Sequence, residues 1–195
     1  MNFWDTIFKV INGAAGQNQT MDNIMMFCSQ KLPIILALLV IVVYFVGIVK
    51  HSKEARAAAV NTVVFLAINM ILSAIIGNVW YAQRPFVKDP SANLLYPHKP
   101  NSSFPSDHSL ASMSIALGLT AYNKVLGVVS IIISVLIGVS RVYVGHHYPE
   151  HVVGSYLIAI VTFVIYNKFF SRKVRNLYLN IEKRTPILKG IVKNK

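Results

Sequence analysis

The chain has 195 residues, of which 54% are hydrophobic and only 13% charged, with a formal net charge of +12 and a mean hydropathy of +0.53. That apolar share exceeds the roughly 45–50% usual for soluble domains, so it excludes an ordinary water-soluble enzyme and implies an integral membrane protein. One cysteine, Cys28, excludes an internal disulfide.

Taken in order, Phe3, Trp4, Ile7, Phe8, Val10 and Ile11, followed by Gly13 and Gly16, predict a short interfacial amphipathic helix over residues 1–14. This start lacks the charged and then long apolar pattern of a cleavable signal. Met21, Ile24, Met25, Met26 and Phe27 either extend the next apolar run or form a second interfacial piece. Leu32 to Val49 supplies the roughly 18–20 residues needed to cross about 30 Å of hydrocarbon. A polar connection (Lys50, His51, Lys53, Glu54, Arg56) leads to a second span, Ala57 to Tyr81, in which Asn61, Asn69, Ser73 and Asn78 suit interhelical hydrogen bonds.

Residues 86–104 then form a loop marked by Pro90, Pro97 and Pro100, long enough to suggest function or disorder, with Leu94, Leu95 and Tyr96 as a patch for lipid or substrate. Pro105 is expected to open a third span rich in small residues, because proline suits a first helical turn. After a turn at Asn123-Lys124, Val125 to about Tyr143 forms a fourth span, and a fifth runs from Tyr148-Pro149 through Phe170. The expected fold class is therefore all-α, a polytopic membrane bundle of five spans, or six if the stretch near residue 25 adds one. Residues 1–170 form the membrane domain, with the core motifs in 57–170, and residues 171–195 a basic cytoplasmic tail.

Thirteen of the Lys and Arg residues lie on the face carrying Lys50, Lys124 and the tail, and six lie on the other. Basic residues accumulate on the cytoplasmic side, so the N-terminus and the 82–106 and 144–148 connections face outward. The tail is expected to attract anionic lipids, at about 1 kcal/mol per basic residue near the surface, and not nucleic acid.

Three polar clusters fall on that outer side: Arg84-Pro85, Ser106-Asp107-His108, and the stretch from Ser140-Arg141 through His146, His147, Glu150 and His151. Two guanidiniums, a serine hydroxyl and helix N-termini make an oxyanion site, since guanidinium forks match phosphate oxygens and first helical turns offer free N–H groups. Imidazole titrates near 6.5, so one histidine can be a neutral nucleophile while another, protonated, donates to a leaving oxygen. Phosphoryl transfer through a phosphohistidine follows as the expected chemistry. His146 reads as a supporting or interfacial residue, and His51 and His98 as ordinary loop residues. No metal site is expected, because His146 and His147 are consecutive and no His-Glu-x-x-His helix occurs.

Arg84-Pro85, Pro105-Ser106-Asp107-His108, and Ser140-Arg141 followed by five residues and His147 resemble the three motifs of the type 2 phosphatidic acid phosphatase superfamily, over residues 57–170. The stretch from Tyr143 to Pro149 and the Pro-Ser-Asp-His form of the second motif are similar to the bacterial undecaprenyl-diphosphatase branch associated with bacitracin resistance. The resemblance implies a cofactor-free and metal-independent phosphatase at the outer face of the bacterial cytoplasmic membrane. It implies His147 as nucleophile, His108 as general acid, and Arg84, Ser106, Asp107 (through nearby backbone N–H groups) and Arg141 at the substrate phosphate. Phosphatidic acid, phosphatidylglycerol phosphate and other isoprenoid diphosphates are the alternative substrates.

Two positions depart from the family pattern. Gly77 stands where the first motif often begins with lysine, and His151 stands where an aspartate orients the nucleophile. Neutral His151 can accept the nucleophile's ring N–H but brings no negative charge, and Glu150 is about 100° away around a helix. The expectation is a weakened enzyme, or a non-catalytic binder of lipid phosphate, in which His151→Asp raises turnover more than tenfold.

Overall fold

A computed structural model describes residues 3–185, and every regular element in that range is a helix. In chain order these are α1 (Phe3–Gly13), α2 (Gln19–Gln30), α3 (Leu32–Val49), α4 (Lys53–Val79), α5 (Pro85–Lys88), α6 (Asp107–Thr120), α7 (Lys124–Tyr143), α8 (Pro149–Phe169) and α9 (Ser171–Arg184). Among them, α3, α4, α7 and α8 are long and apolar enough to cross a membrane. The expected fifth crossing, α6, has only 14 residues, about 21 Å of helix at 1.5 Å per residue.

Helix α6 can be short because it meets protein instead of lipid. It packs against α3, α4, α7 and α8, and its Ile115 and Leu119 join Leu36, Val40, Val43, Ala55, Ala59 and Ile137 in the main apolar core. Small residues set the spacing: a Cβ on Gly118 would lie 2.5 Å from the Thr62 hydroxyl. Polar pairs fix the register, with Asn69 donating to Ser114 at 3.0 Å and accepting from Thr162 at 2.8 Å, and Ser112 paired with Ser134 at 2.8 Å. Where lipid cannot satisfy a polar group, such pairs must. The apolar side chains left outward, such as Ile71 and Ile75 on α4 and Leu157 and Val161 on α8, form the lipid-facing surface. Trp80 and Tyr81 stand exposed beyond the end of α4, the aromatic placement usual at a membrane interface.

Several boundaries differ from the sequence expectation. Residues 19–30 are a separate helix whose Met25 and Met26 pack on Tyr143 and Val144 at the end of α7. Lys53 to Arg56 belong to the first turn of α4, because the Ser52 hydroxyl caps it by accepting from Ala55 N–H at 3.2 Å. Pro105 precedes α6 instead of opening it, since Ser106 is the N-cap.

The start of the tail is the helix α9, and Glu182 on it forms a buried ion pair with Arg56, which also donates to the Gly47 carbonyl at 2.7 Å. A residue of the polar connection in the sequence reading is thus the anchor of a docked helix. The part of the tail beyond Thr185 lies outside the described residues.

Candidate active site

The chain leaves α4 at Val79, runs extended to Arg84, turns through α5 and returns along the 89–105 loop. Ser103 N–H donates to the Ala82 carbonyl at 2.7 Å, clipping the loop's end to its beginning. Its middle is tied to α1: Asn12 and Asn93 exchange three hydrogen bonds between 2.8 and 3.0 Å, and Asn12 Nδ2 also donates to the Tyr143 carbonyl. Gly145, just after α7, has φ +82°, and a Cβ there would lie 2.4 Å from the Asn93 carbonyl, so only glycine suits the turn. This loop is therefore the ordered wall of the site. Leu95 and Tyr96 face inward against Ala15, Tyr143 and Val144, and Leu94 is exposed.

Arg141, on the last turn of α7, is 1% exposed. One nitrogen, Nη1, donates to Ser29 Oγ at 2.9 Å and to Tyr96 Oη at 2.8 Å. Among the described residues its Nε and Nη2 are buried without a partner, and these two N–H groups form the edge that grips an oxyanion bidentately. An orphaned guanidinium edge in a buried place is costly and calls for an acceptor that the protein does not supply.

Arg84 is used differently. Its Nε donates to Asn101 Oδ1 and carbonyl at 3.1 Å, Nη2 to the Ser102 carbonyl at 3.0 Å, and Nη1 to the His146 carbonyl at 3.0 Å. Nη1 also lies 3.1 Å from His147 Nε2. Burial, and then the neighbouring Arg141, bring the Arg84 pKa down to about 10, which leaves it charged at neutral pH.

That contact fixes the His147 tautomer. Arginine only donates, so Nε2 must be the unprotonated acceptor, and the proton on Nδ1 points to the Ser103 carbonyl at 2.8 Å. Burial and the two arginines hold the His147 pKa well below 6.5, so the ring is neutral and its Nε2 lone pair is held at the arginine face.

Residue 151 does not bond to His147, the contact the sequence suggested. His151 lies in the first turn of α8, and its Nδ1 pairs with the Ser103 hydroxyl at 2.8 Å, while that hydroxyl is 3.5 Å from His147 Nδ1. Glu150 likewise makes no hydrogen bond to His147, whose ring nitrogens are taken up by Arg84 and Ser103.

The second cluster joins this group at the N-terminus of α6. His108 is half-buried, makes no protein hydrogen bond among the described residues, and lies within electrostatic reach of Arg141, His98 and Arg84. Asp107 accepts from Ser73 at 2.6 Å, and the fully buried Ser106 hydroxyl pairs with Ser109 at 3.0 Å while its N–H donates to Ser155 at 2.8 Å. Gly77 faces Ser102 and the Phe104 carbonyl with ordinary room for a Cβ, so a lysine there is not barred by space on the backbone side.

Sequence reasoning missed Ser29, His98 and Ser103, and it read Tyr96 as part of a lipid or substrate patch instead of as a partner of Arg141. His98 sits with its ring 4.5 Å from that of His146, whose Nε2 bonds the Tyr96 carbonyl at 3.0 Å. Burial, then Arg141, holds His146 down to about 3, and its Nδ1 is buried without a partner. The unusual length of the loop was the available signal for three of these residues. Ser29 had none. Among the described residues, no three His, Cys, Asp or Glu side chains are grouped to share a metal ion.

Comparison with known proteins agrees with this geometry. The chain is 32% identical over 163 residues to undecaprenyl-diphosphatase BcrC of Bacillus subtilis, covering 84% of this chain and 82% of that protein. It is 27% identical to the putative undecaprenyl-diphosphatase YbjG of Escherichia coli, covering 80% and 77%. Its fold matches the crystal structure of Aquifex aeolicus LpxE with a TM-score of 0.67 at 20% identity, over 87% of this chain and 97% of that one. The model of the PAP2 superfamily matches residues 58–175, which include all three polar clusters, and the chain belongs to that superfamily.

Proposed function

We propose that this protein hydrolyses undecaprenyl diphosphate to undecaprenyl phosphate and inorganic phosphate, at the outer face of a bacterial cytoplasmic membrane. Two observations together carry the reading: an unprotonated His147 Nε2 facing Arg84, and the buried Nε–Nη2 edge of Arg141, without a partner among the described residues, within electrostatic reach of His147. The first is a nucleophile, and the second is a phosphate fork. The undecaprenyl group is favoured by the named activities of the relatives from B. subtilis and E. coli. Outward placement of the site is supported by the thirteen-to-six distribution of basic residues.

In this mechanism the lipid tail lies against the apolar outer faces of α4 and α8 and the diphosphate enters the polar end. The terminal phosphoryl group takes the Arg141 edge, the spare Arg84 donor, the Ser106 hydroxyl and the N–H groups that open α6 near Asp107. Arg84 then shifts its Nη1 donor from His147 to a phosphate oxygen, which frees the lone pair. His147 Nε2 attacks the terminal phosphorus, the bond to the bridging oxygen breaks, and its electron pair leaves on undecaprenyl phosphate, which takes a proton from His108, a ring that becomes charged once the substrate's negative charge lies beside it. A water molecule then attacks the phosphohistidine, giving its proton to His108, and the P–N electron pair returns to Nε2.

Every proton and electron pair is accounted for by these residues, so the mechanism calls for no cofactor or metal. Recycling the carrier lipid in this way would support cell-wall synthesis and bacitracin resistance. On the opposite face, the basic residues of α9 attract anionic lipid.

The test is phosphate release in detergent from undecaprenyl diphosphate, phosphatidic acid, phosphatidylglycerol phosphate and a short isoprenoid diphosphate. The expected result is at least tenfold higher kcat/KM for the undecaprenyl substrate. Equal rates on all four would remove the substrate claim, and retained lipid binding without release would make the protein a binder.

A further inference from the structure

Position 151 holds an imidazole, yet His147 has a complete set of ring partners. Its Nδ1–H goes to the main-chain carbonyl of Ser103 at 2.8 Å, and the donor-only Arg84 occupies Nε2 at 3.1 Å. Ser103 is itself fully buried and held at each of its other groups: its N–H by the Ala82 carbonyl at 2.7 Å and its hydroxyl by His151 Nδ1 at 2.8 Å. His151 is in turn wedged between the Phe104 and Tyr148 rings, with centroids 5.7 and 5.6 Å from its own. A peptide carbonyl is a permanent acceptor that needs neither charge nor ionisation, and so it can select a tautomer at any pH at which the ring is neutral.

We propose that Ser103 is the positioning residue for His147, its carbonyl setting the Nδ1–H tautomer and its hydroxyl, tied to His151, holding that carbonyl in place. The inference deepens the phosphatase reading and rests on it for its kinetic consequences. It makes residue 151 a prop for Ser103 and not a direct partner of the nucleophile. The tenfold gain expected of His151→Asp on sequence grounds then disappears, because the group that an aspartate would bond is already engaged.

The prop needs an acceptor at the Nδ1 position and no charge. An asparagine carbonyl oxygen occupies nearly that position, whereas leucine offers nothing. His151→Leu and Ser103→Ala each free the carbonyl to move, and misplacing a nucleophile by a fraction of an ångström costs about five- to thirtyfold in rate. The loss falls on kcat and leaves KM within about twofold, since neither residue touches the phosphate in this scheme.

The experiment measures kcat and KM for undecaprenyl diphosphate in wild type, Ser103→Ala, His151→Leu, His151→Asn, His151→Asp and the Ser103→Ala/His151→Leu double variant. Expected are near-wild-type rates for Asn and Asp, reduced kcat for Leu and Ser103→Ala, and a double variant no worse than the poorer single one. A more than tenfold gain with Asp, an Asn variant as slow as Leu, or additive losses would each overturn the proposal. In parallel, nitrogen-15 histidine spectra of the wild-type protein in nanodiscs should show neutral His147 protonated on Nδ1. Protonation on Nε2 would refute the inference even if the protein released no phosphate, the outcome that would separately defeat the functional reading.

Discussion

Replacing Arg141 by lysine keeps the charge but removes the planar fork, and the structure says what that should cost. The Nε and Nη2 donors are buried with no partner among the described residues, so both are available to one phosphoryl group. Hydrogen bonds to a charged group contribute about 1.5–3 kcal/mol each. Lysine, a single point of charge on a flexible stem, recovers about one of the two. A net loss of about 1.5–3 kcal/mol in the transition state corresponds to a fall in kcat/KM of roughly 13- to 160-fold. The fold should survive, because Ser29 and Tyr96, the two hydroxyls that hold Arg141, also pair with each other at 2.7 Å. The assay is phosphate release from a lipid diphosphate in detergent, with the melting temperature of each variant as control. If Arg141→Lys folded normally and kept kcat/KM within threefold, the bare edge would not be the phosphate fork.

Other consequences follow from the same contacts. Arg84→Lys should lower activity and the melting temperature together, since Arg84 ties Asn101, Ser102 and His146 as well as facing His147; lost activity with an unchanged melting temperature would contradict its structural share. Glu182→Ala leaves a buried guanidinium unpaired and should cost about 3–5 kcal/mol, read as a clear fall in melting temperature, with the detached α9 becoming accessible to protease; an unshifted melting curve would contradict this. Acid should destabilise the protein through His146. The unfolded chain takes up a proton near 6.5 and the folded one not until about 3, so stability falls with pH across that window, by up to about 1.4 kcal/mol per unit. Melting curves between pH 7.5 and 5, with His146→Gln flattening the slope, check it, and a slope equal in both proteins would refute the assignment. Because His147 is also held well below 6.5, protonation of the nucleophile should set no limb in the rate profile above that pH.

Much of the architecture was legible because lipid imposes simple rules. Runs such as Leu32 to Val49 must be helical and long, and the polar clusters at Arg84, Ser106 to His108 and Arg141 to His151 stood out against them. The helix of small residues following Pro105 was visible as close packing, but not its shortness, which depends on the four helices around it.

What escaped depended on contacts between segments far apart in the chain. Arg56 read as part of a polar connection because its partner, Glu182, is 126 residues away. The role of Ser103 was hidden because it works through a main-chain carbonyl, a group present in every residue. Ser29 and Tyr96 are unremarkable as residue types and matter only because α2 and the loop bring them to Arg141. For His151 the spacing indicated nearness to His147 but was silent about the Ser103 hydroxyl that lies between them.

The central claim is that His147 transfers the terminal phosphate of a lipid diphosphate without a metal. It is tested most directly by measuring phosphate release from undecaprenyl diphosphate by the purified protein in the presence of EDTA, alongside His147→Ala. The account predicts full activity with the chelator and none above background in the variant. Loss of activity in EDTA, or equal release by His147→Ala, would contradict it.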